Sequence, residues 1–398
     1  MQSRIKEYIV FGIAAAAVLV AFLFAFNGVS AEDKNEEKPA RSVPAEASAE
    51  IGDEDLSETE LISPEELEAL LASSYFAAKT EAPAANIPAG SVPAATGTAP
   101  KLARVPAKAP RPAIKKFSCA GQICIDADSG EVLSARNADV RHPPASVTKL
   151  MTLFVTLDAV KAGKIELSTP VKASLRAQQM GGTQVHLAAG EVHSVDDLLY
   201  ALMLQSANDA AVALAEAICG NVEDFVVVMN AKARELGLKN TVFSTPHGLP
   251  VSKKDRAAGK KPDMTTAADL AKLSRILIKT HPGIFRYSAS KAKVFREYSL
   301  KTKPLPMGNH NKLLRTFPGC DGLKTGWTNA GASIVTTASR GNRRVIAVVL
   351  GGIVPGAQKG SVDAKASQRE RNQRAAELMF DGLKKMGVLE YEPTPQQP

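Results

Sequence analysis

The chain has 398 residues, a formal net charge of +8 and 45% hydrophobic residues. That length allows two or three domains, but the composition is too uneven for the whole chain to be folded core. The basic balance points to anionic surroundings, such as cell-wall polymer or membrane headgroups. Nucleic acid, the other usual partner of basic chains, is set aside: the chain opens with an export signal and carries no recognised nucleic-acid motif.

Ile9 to Phe26 is an unbroken apolar run of 18 residues, preceded by Arg4 and Lys6 and followed by Val29-Ser30-Ala31. Small residues sit where a signal peptidase would cut, so residues 1–31 read as a signal peptide cleaved after Ala31. The run also reaches the length of a membrane-spanning helix, which makes an uncleaved N-terminal anchor the competing reading. Glu32 to Glu81 holds 15 acidic against 4 basic residues, and Ala82 to Pro112 is rich in Ala and Pro. Neither part has the apolar density of a core, so 32–116 is expected to be a disordered linker. Ser63-Pro64-Glu65-Glu66 before Leu67, Leu70 and Leu71 is the exception; it looks like a helix start, for a short docking helix or a transient one.

From Phe117 to Leu389 the pattern is globular, with 390–398 as a tail. Gln122–Asp126 and Glu131–Arg136 around Asp128-Ser129-Gly130 read as a hairpin. Ser146 opens an apolar helical run (Leu150, Met151, Phe154, Val155) that stops near Gly163. Ser194-Val195-Asp196-Asp197 is a capping box before Leu198, Leu199, Leu202 and Met203. Asn208 to Cys219 is an Ala-rich helix closed by Gly220, Asn221 caps another through Leu236 with Gly237 as its stop, and Thr266 to Ile278 is helical again. Strands resume at Gly322–Trp327, Ala332–Ser339 and Val345–Leu350, with a Gly341-Asn342 turn. A polar insertion follows Gly352, from Ile353 to about Glu370, and an amphipathic helix runs from about Ala366 to Met386. Strands flanking a run of helices predict an α+β fold: an antiparallel sheet with an inserted helical lobe, and a cleft between them.

Three short elements fall on the walls of that cleft, in an order and at distances that chance rarely produces. Ser146-Val147-Thr148-Lys149 gives a hydroxyl and an amine one helical turn apart. Ser206-Ala207-Asn208 gives a second hydroxyl and an amide on a tight loop. Lys324-Thr325-Gly326 gives a cation and a hydroxyl on a strand, then a glycine that lets a backbone come close. Ser-x-x-Lys alone is weak, since Ser288–Lys291 and Ser290–Lys293 repeat it. Those copies lie after the Ser-x-Asn element, in a Lys/Arg-rich stretch. A serine hydroxyl is inert until a base lies within hydrogen-bond reach. Lys149 is such a base only where burial and nearby cations, Lys324 among them, lower its pKa.

The set is that of β-lactamases and penicillin-binding proteins. Longer stretches narrow it: Pro144-Ala145-Ser146, Ser206 through Ala211, Leu236 through Thr241, Pro246-His247-Gly248-Leu249, Asn311 through Leu314 and Asp321 through Gly326. On these the chain, from Gln122 to Leu383, resembles the low-molecular-mass penicillin-binding proteins of the serine D-alanyl-D-alanine carboxypeptidase type. The resemblance implies their transpeptidase-like fold and a Ser146 nucleophile with Lys149 as its base. Ser206 would pass the proton to the leaving amine, and Asn208 would hold Lys149 and the substrate amide. The backbone N–H groups of Ser146 and Trp327 would form the oxyanion hole. Lys324, Thr325 and an arginine would hold the terminal carboxylate. Arg371 is the best match for that arginine, with Arg369 and Arg374 as rivals. The implied partners are peptidoglycan stem peptides and, as acylating inhibitors, β-lactams, with no cofactor or metal. A membrane is implied only through the N-terminal segment, if it stays uncleaved.

Several members carry a second, β-rich domain and a C-terminal anchor helix. Only nine residues follow Leu389 here, so the chain looks like the short members, some of which are D,D-endopeptidases. A serine β-lactamase would share the three elements. It would also need a deacylation base, usually a Glu between the second and third of them, and Glu235 in that interval lies inside a helix that reads as structural. More distant is a β-lactam-binding or wall-binding protein without turnover. The four cysteines (Cys119, Cys124, Cys219, Cys320) permit one or two disulfides without fixing a pairing. His186 and His193 lack convincing metal-ligand spacing.

Overall fold

The computed structural model describes residues 117–388, except 258, 297–302, 357 and 359. The signal-peptide segment, the linker and the helix start at Ser63 lie outside the described residues. Among those described, no helix is long and apolar enough to cross a membrane.

Nine strands are present among them: β1 (Gly121–Asp126), β2 (Val132–Arg136), β3 (Pro170–Lys172), β4 (Val192–Ser194), β5 (Ala292–Phe295), β6 (Leu305–Gly308), β7 (Cys320–Thr328), β8 (Gly331–Arg340) and β9 (Arg343–Gly352). Five form one antiparallel sheet in the order β2-β1-β9-β8-β7. Its register is set by pairs such as Ile123 with Val348, Val335 with Val348, and Lys324 with Val335. Both faces of this sheet are covered, which is why β9 reads Val-Ile-Ala-Val-Val-Leu rather than alternating apolar with polar. Val345, Ala347 and Val349 pack with Ala375, Leu378, Met379 and Leu383 of the C-terminal helix; Ile346, Val348 and Leu350 face the opposite core. Adjacent strand residues point to opposite faces, so one continuous apolar run serves two cores.

The principal helices are α1 (Lys149–Lys161), α2 (Asn208–Cys219), α3 (Val222–Glu235), α4 (Ala267–Thr280) and α5 (Ala364–Lys385). Helices α1 to α3 belong to a lobe inserted between β2 and β5. α2 is its axis, with Asn208 through Ala215 all buried. α4 and α5 pack on the sheet. The caps read from the sequence are present: Ser194 accepts from the Asp197 N–H and Asn221 from that of Asp224. Thr266, the expected start of a helical segment, lies just outside α4 and caps it by accepting from the Asp269 N–H. Gly220 and Gly237 close α2 and α3 in the left-handed region.

Three features depart from the expectation. The ribbons β3–β4 and β5–β6 went unread, being three or four residues long and too short to show alternation. Ala201–Gln205 is a wide, π-type turn. And the polar stretch after Ile353 is only partly a loop: Pro355 pairs with Val362, Asp363 caps α5, and residues from Ala364 on are already helical. The cysteines at 119, 124, 219 and 320 are all free thiols; Cys124, wedged against Gly382, has its thiol pushed up to about 12 by burial.

Candidate active site

Ser146 sits in a single 3-10 turn, Ala145–Thr148, that runs directly into α1. The i to i+3 spacing brings its hydroxyl and the Lys149 amine onto one face, with Lys149 Nζ 3.1 Å from Ser146 Oγ. Lys149 is fully buried, and Nζ also donates to Asn208 Oδ1 at 2.7 Å and to the His247 carbonyl at 2.8 Å. Burial holds its pKa well below the usual lysine value; the Lys324 cation adds to this, against the opposing charges of Asp209 and Asp263.

The second element enters from α2. The wide turn ends at Ser206, whose φ of 63° turns the chain so that Asn208 can start α2. Such a left-handed residue costs an L-amino acid free energy and is a frequent mark of a functional loop. Ser206 Oγ is buried and without a protein partner, a group that the site leaves open for a ligand. Asn208 is spanned on both sides: Oδ1 accepts from Lys149, and Nδ2 donates to the Gly181 carbonyl at 2.7 Å.

The third element lies on β7, an edge strand of the main sheet, which packs against the Ser146 turn. A Cβ on Gly326 would lie 3.0 Å from both the Pro144 carbonyl oxygen and the Ser146 nitrogen. The glycine therefore admits the chain's own Ser146 turn, a role beyond the substrate clearance expected of it. The same closeness puts the Ser146 amide beside β7, one residue from half-buried Trp327. Lys324 and Thr325 are buried. Burial, helped by Arg371, pushes Lys324 down to about 7.

Arg371, on the second turn of α5, is buried and donates through Nη1 to the carbonyls of Ser333 (3.2 Å) and Gly326 (3.4 Å). Burial pushes it down to about 10. The rivals lie elsewhere, Arg369 exposed beside Glu370 and Arg374 beside Glu377. Glu235 is likewise exposed, ion-paired to Lys232 at 2.8 Å, which removes the reason for reading it as a β-lactamase deacylation base. His193 pairs with Glu191.

Several residues of the site had no role readable in the sequence. Asp209 accepts from the N–H groups of Val185 and Leu187, fixing the loop that bears Gly181. Asn311 donates to the Gly322 carbonyl at 3.1 Å and steadies the start of β7. His310 is exposed at the surface; partial enclosure and the cations Lys324, Arg371 and Lys149 lower its pKa.

A serine hydroxyl beside a buried amine, an unpaired hydroxyl and a cationic strand edge are the groups that serine acyl transfer needs, brought together here in a two-lobed α+β fold. The chain belongs to the D-alanyl-D-alanine carboxypeptidase family, whose model matches residues 107–353. It is 37% identical over 267 residues to the D-alanyl-D-alanine carboxypeptidase DacF of Bacillus subtilis, covering 64% of this chain and 66% of that protein. It is 38% identical over 237 residues to DacC of Escherichia coli, covering 58% and 55%. The match thus spans under two thirds of the length of either relative. Among solved structures, penicillin-binding protein 6B of Escherichia coli superposes with a TM-score of 0.56 at 30% identity, over 71% of this chain and 81% of that one. The ampicillin-bound form of penicillin-binding protein D2 of Listeria monocytogenes gives 0.55 at 29% identity, over 66% and 97%.

Proposed function

We propose that this chain is a serine D,D-peptidase that releases the terminal D-alanine from D-Ala-D-Ala peptides of cell-wall peptidoglycan. The observation that carries the reading is the 3.1 Å contact between Ser146 Oγ and a lysine whose pKa burial holds well below the usual value. In its neutral form Lys149 accepts the Ser146 proton as Oγ attacks the carbonyl of the penultimate D-alanine. The N–H groups of Ser146 and Trp327 hold the developing oxyanion. The C–N bond then breaks, Ser206 relays the proton to the leaving amine, and D-alanine departs. Water hydrolyses the acyl-Ser146 ester, returning the enzyme and the shortened peptide.

Lys324, Thr325 and Arg371 form the carboxylate end of the site, and the free edge of β7 can pair with the substrate backbone. A penicillin presents a carboxylate and a strained amide to the same groups, so it acylates Ser146; the ampicillin-bound relative supports this. The segment Ile9–Phe26 with Val29-Ser30-Ala31 exports the chain to the periplasm or cell envelope, and a mature N-terminus at Glu32 is the outcome expected of N-terminal sequencing.

The test is digestion of purified peptidoglycan fragments, with released D-alanine and loss of cross-linked dimer both measured. D-alanine release that disappears in Ser146→Ala is expected. Dimer loss without it would mark an endopeptidase, and neither product would overturn the reading.

A further inference from the structure

Asp263 lies in the short segment before α4, anchored by strand bridges on its C-terminal side, Met264 with Val242 and Thr265 with His142. Its carboxylate is buried and accepts four hydrogen bonds. Oδ1 takes the N–H groups of Ser244 (2.6 Å) and Thr245 (3.1 Å); Oδ2 takes the hydroxyls of Thr148 (2.9 Å) and Thr245 (3.0 Å). Burial raises its pKa, and the four donors oppose that rise. The two N–H groups on Oδ1 are donors only, so the environment is built for the ionised form.

Those partners belong to two pieces of the site. Thr148 is in the nucleophile turn, between Ser146 and Lys149. Ser244 and Thr245 open the loop whose His247 carbonyl accepts from Lys149 Nζ at 2.8 Å. The loop is tied further: Thr245 Oγ1 accepts from the Gly248 N–H, and Thr152 of α1 donates to the Pro246 carbonyl. One carboxylate therefore joins the element bearing the base to the loop supplying one of its three acceptors. We propose that Asp263 is a positioning residue for Lys149, which fixes the 244–248 loop against the nucleophile turn and supplies a buried counter-charge to the Lys149 ammonium.

This inference rests on the reading of Lys149 as the base. The charged groups facing Lys149 are Lys324 from β7, Asp209 from α2 and Asp263. The imidazoles of His247 and His310 feel its charge in turn, and burial first, then the nearby cations, keep both well below the usual histidine value. Lys324 drives the proton off Lys149; Asp209 and Asp263 hold it on. Removing Asp263's charge shifts that balance toward the neutral amine, so acylation should begin at lower pH. Loosening the loop lowers the rate at every pH. A purely structural role would do only the second.

The experiment compares the wild-type chain with Asp263→Asn, which keeps size and one carbonyl acceptor. Lysine carrying 13C at Cε is titrated by NMR, with Lys149 assigned through Lys149→Arg, and penicillin acylation rates are measured across pH. The Lys149 resonance is expected to titrate at lower pH in Asp263→Asn. The acid limb of acylation should move the same way, and the plateau rate should fall about tenfold. An unmoved titration and an unmoved acid limb overturn the proposal. Should Asp263→Asn not fold, Thr148→Val carries the test: it cuts the tie to the nucleophile turn and keeps the charge. The plateau should then fall threefold or more with the acid limb in place, and a native rate overturns the proposal. A wild-type chain that penicillin does not acylate counts against the peptidase reading instead, while the lysine titration still decides the part of Asp263.

Discussion

Replacing Gly248 by alanine should damage fold and site together. Gly248 has φ +85°, and a Cβ there would lie 2.0 Å from the Ala145 carbonyl oxygen and 3.0 Å from Thr148 Oγ1. The left-handed backbone costs an alanine about 1 kcal/mol. Clearing the clash needs a backbone shift of about 1 Å in a packed region, a further cost of about 1–3 kcal/mol. The sum, about 2–4 kcal/mol, corresponds to a fall in Tm of about 4–16 °C for a domain of this size. Because the displaced carbonyl immediately precedes Ser146, the shift also pulls Oγ away from Lys149. A misplacement of about 1 Å costs on the order of a hundredfold in rate. Thermal unfolding followed by circular dichroism reads the first effect, and the rate of penicillin acylation reads the second. A variant with native Tm and native acylation rate would refute the reasoning, since it would show that the nucleophile turn and the 244–248 loop do not press on each other.

Ser146→Ala should carry no penicillin label, whereas label on Ser288 or Ser290, which donate to the carbonyls of Asp321 and Arg286, would sink the nucleophile assignment. Lys149→Ala should fold and lose acylation by about a hundredfold or more, as peptide mapping of the labelled protein would show. Lys324, with its pKa near 7, binds the substrate carboxylate as a cation below that pH and loses the charge as pH rises through it, so KM for a D-Ala-D-Ala peptide should climb on the alkaline side. Arg371→Ala removes the cation that depresses Lys324, so that limb should move to higher pH while KM rises about tenfold or more from the lost charge; a KM–pH profile with its limb unmoved would contradict the coupling.

The elements whose signals are local were legible in the sequence. Caps such as Ser194 and Asn221, stops such as Gly220 and the apolar strand run of β9 follow from propensity and period. The three catalytic-looking elements were legible because each keeps its spacing inside one turn or strand. Arg371 needed the structure to separate it from Arg369 and Arg374: three arginines within six positions of one helix differ only in the face they present, and that face is set by packing on the sheet. Asp263 left no signal: it accepts hydrogen bonds from segments about 20 residues or more away, and an isolated Asp before a helix reads as a cap or a solvated charge. Asp209 was legible only as part of the Ser206–Ala211 stretch, because the N–H groups it accepts from lie more than 20 residues away.

The two lysines of the site share a residue type and an environment. Lys149 and Lys324 are both buried, and burial depresses both, yet the proposed chemistry needs one neutral and the other charged. Neighbouring charge does not divide them in that sense: Arg371 lowers Lys324, whereas Lys149 feels Lys324 on one side and the carboxylates of Asp209 and Asp263 on the other. Their positions divide them. Lys149 Nζ lies 3.1 Å from Ser146 Oγ, where a neutral amine has a proton to accept, and Lys324 lies on β7, where the proposed substrate carboxylate needs a cation. Two like groups can then serve as base and cation in one site. How readily Lys149 loses its proton follows from the balance between Lys324 and the two carboxylates, and that balance is what Asp263→Asn shifts.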